Sequence, residues 1–199
     1  MKIVLIGANG TLGKAIAAEL TRRHSIVSVG RNSGDLRADM RDLQSVRALF
    51  QKTGQVDGVV CAAGSVHFGP WGDLTPEKFD LGMRDKLMGQ VNLVLAGQDA
   101  LVDGGSFTLT SGILSEDPIR SGACASLVNG ALESFVRGAA IELPRGLRIN
   151  IVSPTVLLES VPAYGPYFPG YKPVPAADAA LAYSKSVEGR QTGKIYKVW

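Results

Sequence analysis

The 199-residue sequence predicts a single α/β domain, residues 1–199, built on a doubly wound parallel sheet. Three observations carry this. Short apolar runs recur from end to end, helical patterns alternate with them, and a glycine-rich turn joins the first run to the first helix. The runs are continuously apolar, as strands buried on both faces of a parallel sheet are.

Taken in order, KIVLI at 2–6 ends at Gly7, and SIVSV at 25–29 ends at Gly30. DGVVC at 57–61 runs into small residues and Gly64, SFTLT at 106–110 follows two glycines, LRINIV at 147–152 stops before Pro154, and KIYKV at 194–198 closes the chain. Helices are expected over 12–23 and 43–52, the second capped by Asp42 or by Asp39. A long helix is expected from Pro76 to about Leu101, with Thr75 as cap, Glu77 in the first turn and an apolar stripe at Phe79, Met83, Leu87, Val91 and Leu95. Another runs from about Gly122 to Leu143, where Pro144 stops it, and a last one from Pro175 to about Val187. Residues 36–40 read as a further strand, yet only 30–35 separate them from the preceding one, too few for a crossover helix. The segment 154–175, rich in Pro, Gly and Tyr, reads as a mobile loop over a site.

Composition narrows the function. A net charge of +3, with no basic run, argues against nucleic acid as a partner, and no apolar stretch is long enough for a membrane span. With no leader in front of the first strand and two cysteines lacking metal-ligand spacing, a cytoplasmic protein with free thiols and no metal is expected.

The turn Gly7-Ala8-Asn9-Gly10-Thr11-Leu12-Gly13 lies between a strand and a helix, where a dinucleotide is held. Gly7 permits the tight turn, Gly10 lets a pyrophosphate approach bare backbone, and Gly13 lets the helix pack closely. The domain is therefore Rossmann-like, with one crossover helix deleted between the second and third strands. After the second strand stand Arg31, Asn32 and Ser33 in place of the carboxylate that would hold the ribose of NAD. A guanidinium there suits a 2′-phosphate, so NADP (NADPH) is the expected cofactor, with NAD the lesser candidate. Asp39 and Met40 are placed at the adenine edge.

The turn, Ala38-Asp39-Met40-Arg41-Asp42, Ala62-Ala63-Gly64, Thr110-Ser111-Gly112, Ala131-Leu132-Glu133 and Arg148-Ile149-Asn150-Ile151-Val152-Ser153-Pro154 together resemble the short-chain dehydrogenase/reductase family over nearly the whole chain. Gly-Ser-Phe-Thr-Leu-Thr at 105–110 and Glu116-Asp117-Pro118-Ile119 resemble more closely a subgroup of small members of about this length.

The resemblance implies carbonyl–alcohol chemistry with a Ser, a Tyr proton donor, a Lys and a helix Asn. It places the serine at Ser111, but Ala125 and Asn129 occupy the usual Tyr and Lys positions, and Lys86 the usual Asn position. The family's Asn-Asn-Ala-Gly begins here with Cys61 and Ala62, and its Pro-Gly pair is Pro154-Thr155. It puts Ala62, Ala63, Gly64, Lys86, Pro154, Thr155 and Val156 beside the cofactor, with Asn9, Gly10, Thr11 and Leu12 at the phosphates. Losing the general acid costs carbonyl reduction about 10²–10⁴-fold.

The exchange of Lys and Asn suggests that Lys86 reaches the nicotinamide ribose or a substrate oxyanion from the other side, between Gly82 and Gly89. Replacement acids are sought among Tyr164, Tyr167, Tyr171, Ser126, Cys124 and His67, and Glu159 contacts substrate or caps a helix.

The expectation is an NADP(H)-dependent oxidoreductase on a small carbonyl or alcohol with an altered active site, Ser111 and Lys86 carrying it. A catalytically inactive NADP(H)-binding sensor or partner-binding pseudoenzyme, or a lyase or isomerase, are the alternatives. The helices 76–101 and 122–143, with Gly97, Gly130, Gly138 and Ala139, are expected to pair two copies in a homodimer or homotetramer.

Overall fold

In the computed structural model, which describes residues 1–199, seven strands form one parallel sheet in the order β3-β2-β1-β4-β5-β6-β7. They are β1 (Lys2–Ile6), β2 (Ser25–Gly30), β3 (Leu36–Arg37), β4 (Val56–Cys61), β5 (Leu101–Thr110), β6 (Arg148–Pro154) and β7 (Ile195–Val198). Alternate residues of β1 explain its continuous apolarity. Ile3 and Leu5 enter a core beneath α1 (Thr11–Leu20) and α7 (Ala176–Glu188), with Ile16, Leu20 and Tyr183. Val4 and Ile6 enter the opposite core beneath α2 (Leu43–Thr53), α4 (Met88–Gly97) and α5 (Ala123–Glu142), with Leu49, Leu93, Phe107 and Leu132. The winding direction reverses between β1 and β4, so a crevice opens beyond their carboxyl ends, where ligands of such sheets bind.

The deleted crossover is observed. The chain turns from β2 into β3 through five residues, held by one carboxylate. Asp35 Oδ2 accepts from the Ser28 backbone N at 2.9 Å and from Ser28 Oγ at 2.7 Å, while the Asp35 amide donates back to Ser28 Oγ at 3.0 Å. Gly34 makes the turn at φ +108°, where a Cβ would meet the Ser28 carbonyl oxygen at 2.8 Å. β3 is shorter than the expected 36–40. It pairs only at Val29↔Leu36 and Gly30↔Arg37, and the Asp39 amide then leaves the sheet for Ser45 Oγ. Asp42 caps α2 by accepting from the Gln44 amide at 2.9 Å.

The long helix differs from expectation. α3 (Pro76–Gly82) passes through a π turn (Met83–Leu87) into α4, which ends at Gly97, while Leu101 already belongs to β5. Thr75 sits at the N-cap position without a side-chain bond to the helix backbone. Leu95 is 51% exposed, because spacing of four drifts off a 3.6-residue period along the helix. Gly97 faces the interior, where a Cβ would come within 2.8 Å of the Phe50 ring, so it is not a contact for a second copy.

The segment 154–175 is also more ordered than a structureless loop. It holds a 3-10 turn (Leu158–Ser160), α6 (Val161–Tyr164), a second 3-10 turn (Gly165–Tyr167) and a bridge between Leu157 and Val174. Glu159 caps α7, its two carboxylate oxygens accepting from the Ala176 amide at 3.1 and 3.0 Å.

Candidate active site

The glycine turn sits at the reversal point of the sheet. Gly7 adopts φ +83°, and a Cβ there would meet the Ala62 carbonyl oxygen at 2.7 Å. Gly13 is tighter: a Cβ would stand 2.0 Å from the Gly7 carbonyl oxygen. Gly10, by contrast, has nothing nearer than that same oxygen at 3.5 Å, so its outer face is open. No side chain caps α1, which leaves the amides of its first turn without a helix partner, the arrangement in which a helix start can receive an anion. Leu12 packs on the α1 core, and Asn9 Nδ2 donates to Ser33 Oγ at 2.8 Å, tying the turn to the end of β2.

At that end Arg31 is not a free cation. It lies 3.6 Å from Asp39 and 3.7 Å from Asp85, with its side chain half exposed. Asp39 is also gripped by Arg41, whose hydrogen bonds are the main cause of its carboxyl being held at about 2. Asn32 is exposed beside Arg31. Met40 is buried instead of bordering an open edge. Its side chain packs on Gly89, and its carbonyl accepts from Asn92 Nδ2 at 3.0 Å.

Beyond the ends of β4, β5 and β6 lies a cavity of about 390 Å³. Its inner lining is polar, with Lys86, Ser111, Asn129 and Thr155; Pro154 and Val156 border them, and Phe68, Leu114, Tyr164 and Phe168 form outer walls. Lys86 comes from the π turn, a local widening of the helix. Its Nζ donates to the Ser111 carbonyl at 2.9 Å and to Asn129 Oδ1 at 2.7 Å. Gly64, at φ +132°, lies so close that a Cβ would be 2.7 Å from Lys86 Cγ. Gly82 abuts Val66 and Val128, and Gly89 abuts Met40, so neither flanks the Lys86 side chain directly. Although it borders the cavity, Lys86 is surrounded by protein, and burial lowers its ammonium to about 8.

The sequence-predicted pair, Ser111 and Lys86, is thus brought together through the Ser111 carbonyl. The hydroxyl behaves otherwise: Ser111 Oγ donates to Glu133 Oε1 at 2.8 Å, so its single proton is committed away from the cavity. Ser115 Oγ donates to the same oxygen at 2.7 Å. Glu133 and Ser115 are the residues that reading the sequence for chemistry missed. The available signal was the line Ala125, Asn129, Glu133 at helical spacing of four, all at most 3% exposed, with two polar residues on a buried face.

Of the candidate acids, Tyr164 lines the cavity, its ring 6.1 Å from that of Phe68. Tyr167 packs on Phe68 at 6.2 Å, and Tyr171 donates to the Asp117 carbonyl at 3.1 Å. His67 and Cys124 do not line the cavity, and burial pushes the Cys124 thiol up. Ser126 faces a different groove, beside Trp71 and Ile119. Thr155 Oγ1, by contrast, is a buried hydroxyl without a partner in a residue that lines the cavity, at the end of β6. Ala62 and Ala63 continue from β4, the Ala62 amide donating to the Ile6 carbonyl at 2.9 Å.

A family model described as enoyl-(acyl carrier protein) reductase matches residues 1–168. Elsinochrome reductase 1 of Elsinoe fawcettii is 30% identical over 179 residues, covering 77% of this chain and 67% of its own. The chain belongs to the short-chain dehydrogenase/reductase family. It spans about two thirds of the length of the curated reductases it matches. The crystal structure of the protein lin1944 from Listeria innocua superposes with TM-score 0.98 at 51% identity, covering 100% of both chains. A small-chain dehydrogenase solved in complex with NADPH gives TM-score 0.88 at 25% identity, covering 100% of this chain and 96% of that one. The short-chain dehydrogenase fold accounts for the parallel sheet and for the crevice at its reversal point. No helix is long and apolar enough to cross a membrane.

Proposed function

We propose that this short-chain dehydrogenase binds NADP(H) and acts as an oxidoreductase on a small carbonyl or alcohol, with Lys86 in the part usually played by a tyrosine. The observation that carries the reading is the Lys86 ammonium, fixed by two acceptors at the polar inner end of a cavity with aromatic and aliphatic outer walls. The residues present fit the dinucleotide. The uncapped start of α1 and the open face of Gly10 suit the pyrophosphate, Arg31 with Asn32 and Ser33 suits a 2′-phosphate, and the unpartnered Thr155 hydroxyl suits a carboxamide. The named NADPH complex of a related dehydrogenase supports the choice of cofactor.

Bound nicotinamide supplies or accepts the hydride; the chain supplies position and the proton. Lys86 has three N–H donors and uses two, so one is left for the cavity. An ammonium near 8 is mostly protonated at neutral pH and still close enough to that pH to give its proton to an alkoxide. In reduction, Lys86 holds the carbonyl oxygen by a charged hydrogen bond and then protonates it. In oxidation the neutral amine takes the proton from the alcohol. Asn129 fixes the ammonium, and Ser111 contributes its carbonyl, not its hydroxyl, to that task. The aromatic and aliphatic outer walls exclude water and favour an apolar substrate body.

Fluorescence titration tests the cofactor, with saturable NADPH binding tighter than NADH expected. Carbonyl substrates are then screened with wild type and Lys86→Ala; loss of turnover with retained NADPH binding is expected. Tight NADPH binding with no turnover across the panel favours an NADP(H)-sensing, inactive protein, whose sequence correlate is Ala125 in the place of a donor. Two copies pair, on this reading, through α4 and α5, where Leu95, Leu127 and Ile141 are exposed and Gly130 and Gly138 face open space. Sedimentation showing only monomer at micromolar concentration counts against pairing.

A further inference from the structure

Glu133 is a buried carboxylate, 3% exposed, in the middle of α5. No arginine, lysine or histidine forms an ion pair with it, and its hydrogen bonds come from two hydroxyls, Ser111 Oγ and Ser115 Oγ, on one oxygen. Serine hydroxyls hold one proton each; that of Ser111 is spent on Glu133, and that of Ser115 has Glu133 at 2.7 Å as a nearer acceptor than the Gly112 carbonyl at 3.1 Å. The backbone of the same Ser111 carries the carbonyl that receives Lys86, and Asn129, one turn before Glu133, receives the second bond. The arrangement therefore links carboxylate and ammonium through a shared serine and through one helix face. A carboxylate in such a setting serves the fold poorly, because an apolar residue of similar size avoids the cost of burying charge.

We propose that Glu133 is a positioning residue of this site: as a carboxylate it takes the protons of Ser111 and Ser115, and it is the fixed counter-charge that keeps Lys86 the donor to the reacting oxygen. The proposal rests on the reading of Lys86 as the proton donor, and its test is separable from that reading.

The groups acting on Lys86 are few. The Cys61 thiol stands on β4, where burial pushes it up to about 12 and keeps it neutral, and Glu133 stands on α5. Ser111 on β5 and Asn129 on α5 are uncharged. Asp85, its neighbour in the π turn, is turned to Arg31, and Arg84 is turned to Asp80. Glu133 is thus, Cys61 aside, the one acidic side chain from another element that acts on Lys86. Charge of opposite sign stabilises the ammonium, and Glu133 acts in that direction.

The experiment uses the full chain labelled with [ε-13C]lysine. The Lys86 resonance is assigned by its absence in Lys86→Arg, and its titration is followed by NMR. In Glu133→Gln, which keeps an acceptor for both serines, the Lys86 midpoint should fall by about one pH unit, a tenfold weakening of proton affinity. The pair Ser111→Ala with Ser115→Ala, which removes both hydroxyl donors to Glu133, should lower it as well. A structural role alone moves neither midpoint. In wild type labelled with [δ-13C]glutamate, the Glu133 resonance should be that of a carboxylate at neutral pH; a protonated Glu133 there overturns the proposal even if no variant folds. An unmoved Lys86 midpoint in folded Glu133→Gln also overturns it, whatever NADPH does. Absence of NADPH binding overturns the cofactor reading and leaves the Lys86 measurement standing.

Discussion

Replacing Lys86 by methionine removes a charge while leaving an unbranched chain in the same slot. In the folded protein burial lowers the ammonium from 10.5 to about 8, against the smaller opposing pull of the Glu133 carboxylate. The unfolded chain returns it to its ordinary value. Below about pH 8 both states hold the proton, and the folded state carries the full cost of burying the charge, about 3 kcal/mol. Between about pH 8 and about pH 10.5 the unfolded chain holds the proton and the folded one releases it. Stability therefore rises with pH through that window and not with acid. From about pH 7 to about pH 9.5, Lys86 alone should add about 2 kcal/mol of stability. Lys86→Met lacks the proton and should lack the rise. The assay is urea unfolding of both proteins at a series of pH values, taking the difference at each pH. Tyrosines and the other lysines titrate in both proteins and cancel. A difference that stays flat across the window refutes the claim that Lys86 is held against its charge, and with it the argument that its acidity suits neutral pH.

Four further outcomes follow from the geometry. Gly13→Ala should cost about 3 kcal/mol and weaken NADPH binding, because its Cβ meets the Gly7 carbonyl at 2.0 Å; Gly10→Ala, with 3.5 Å to the same oxygen, should keep the melting temperature while losing affinity. Arg31→Ala should weaken NADPH by about tenfold to a hundredfold, with NADH little changed in the same fluorescence titration, as expected for a charged hydrogen bond to a phosphate. Glu159→Ala, which leaves the Ala176 amide uncapped, should lower stability by about 1 kcal/mol in urea unfolding. Asp35→Ala should lower the urea midpoint, since it frees both the Ser28 amide and the Ser28 hydroxyl in the shortened β2–β3 turn.

The sheet was legible because burial on both faces writes a continuous apolar run, although β5 starts five residues before the expected run, at Leu101, and β6 continues through Pro154. The deleted crossover was legible from chain length alone, since five residues cannot form a helix and return. The π turn was not. It arises from a local change of hydrogen-bond partner in a stretch, Met83–Leu87, whose residues suit an ordinary helix equally well. Glu159 was undecided for a related reason. Its capping of α7 depends on a fold-back that brings residue 159 to residue 176, and nothing local encodes that meeting. Arg31 could be assigned to the end of β2, but its two acidic neighbours, one of them Asp85 in the π turn, are brought to it only by the sheet order.

The same limit applies to Ser111. Sequence position fixes it at the mouth of the sheet, and there it is found, yet position does not say where one hydroxyl proton goes. That is decided by Glu133, eight residues along α5 from the alanine that stands where a tyrosine is expected. Once the proton of Ser111 is spent, the inner end of the cavity holds one charged donor with an N–H to spare, and that donor is Lys86. On the proposed reading, the alanine at 125 on α5 and the lysine at 86 on the facing helix belong together. Each makes sense only with Asn129 in place to receive the lysine, because an ammonium at this depth without acceptors would lose its proton and could no longer donate it. Asn129→Leu separates the two: it keeps the volume and removes one acceptor, so the Lys86 midpoint should fall further below about 8, and a midpoint that holds steady would show that Asn129 fills space and does not hold the charge.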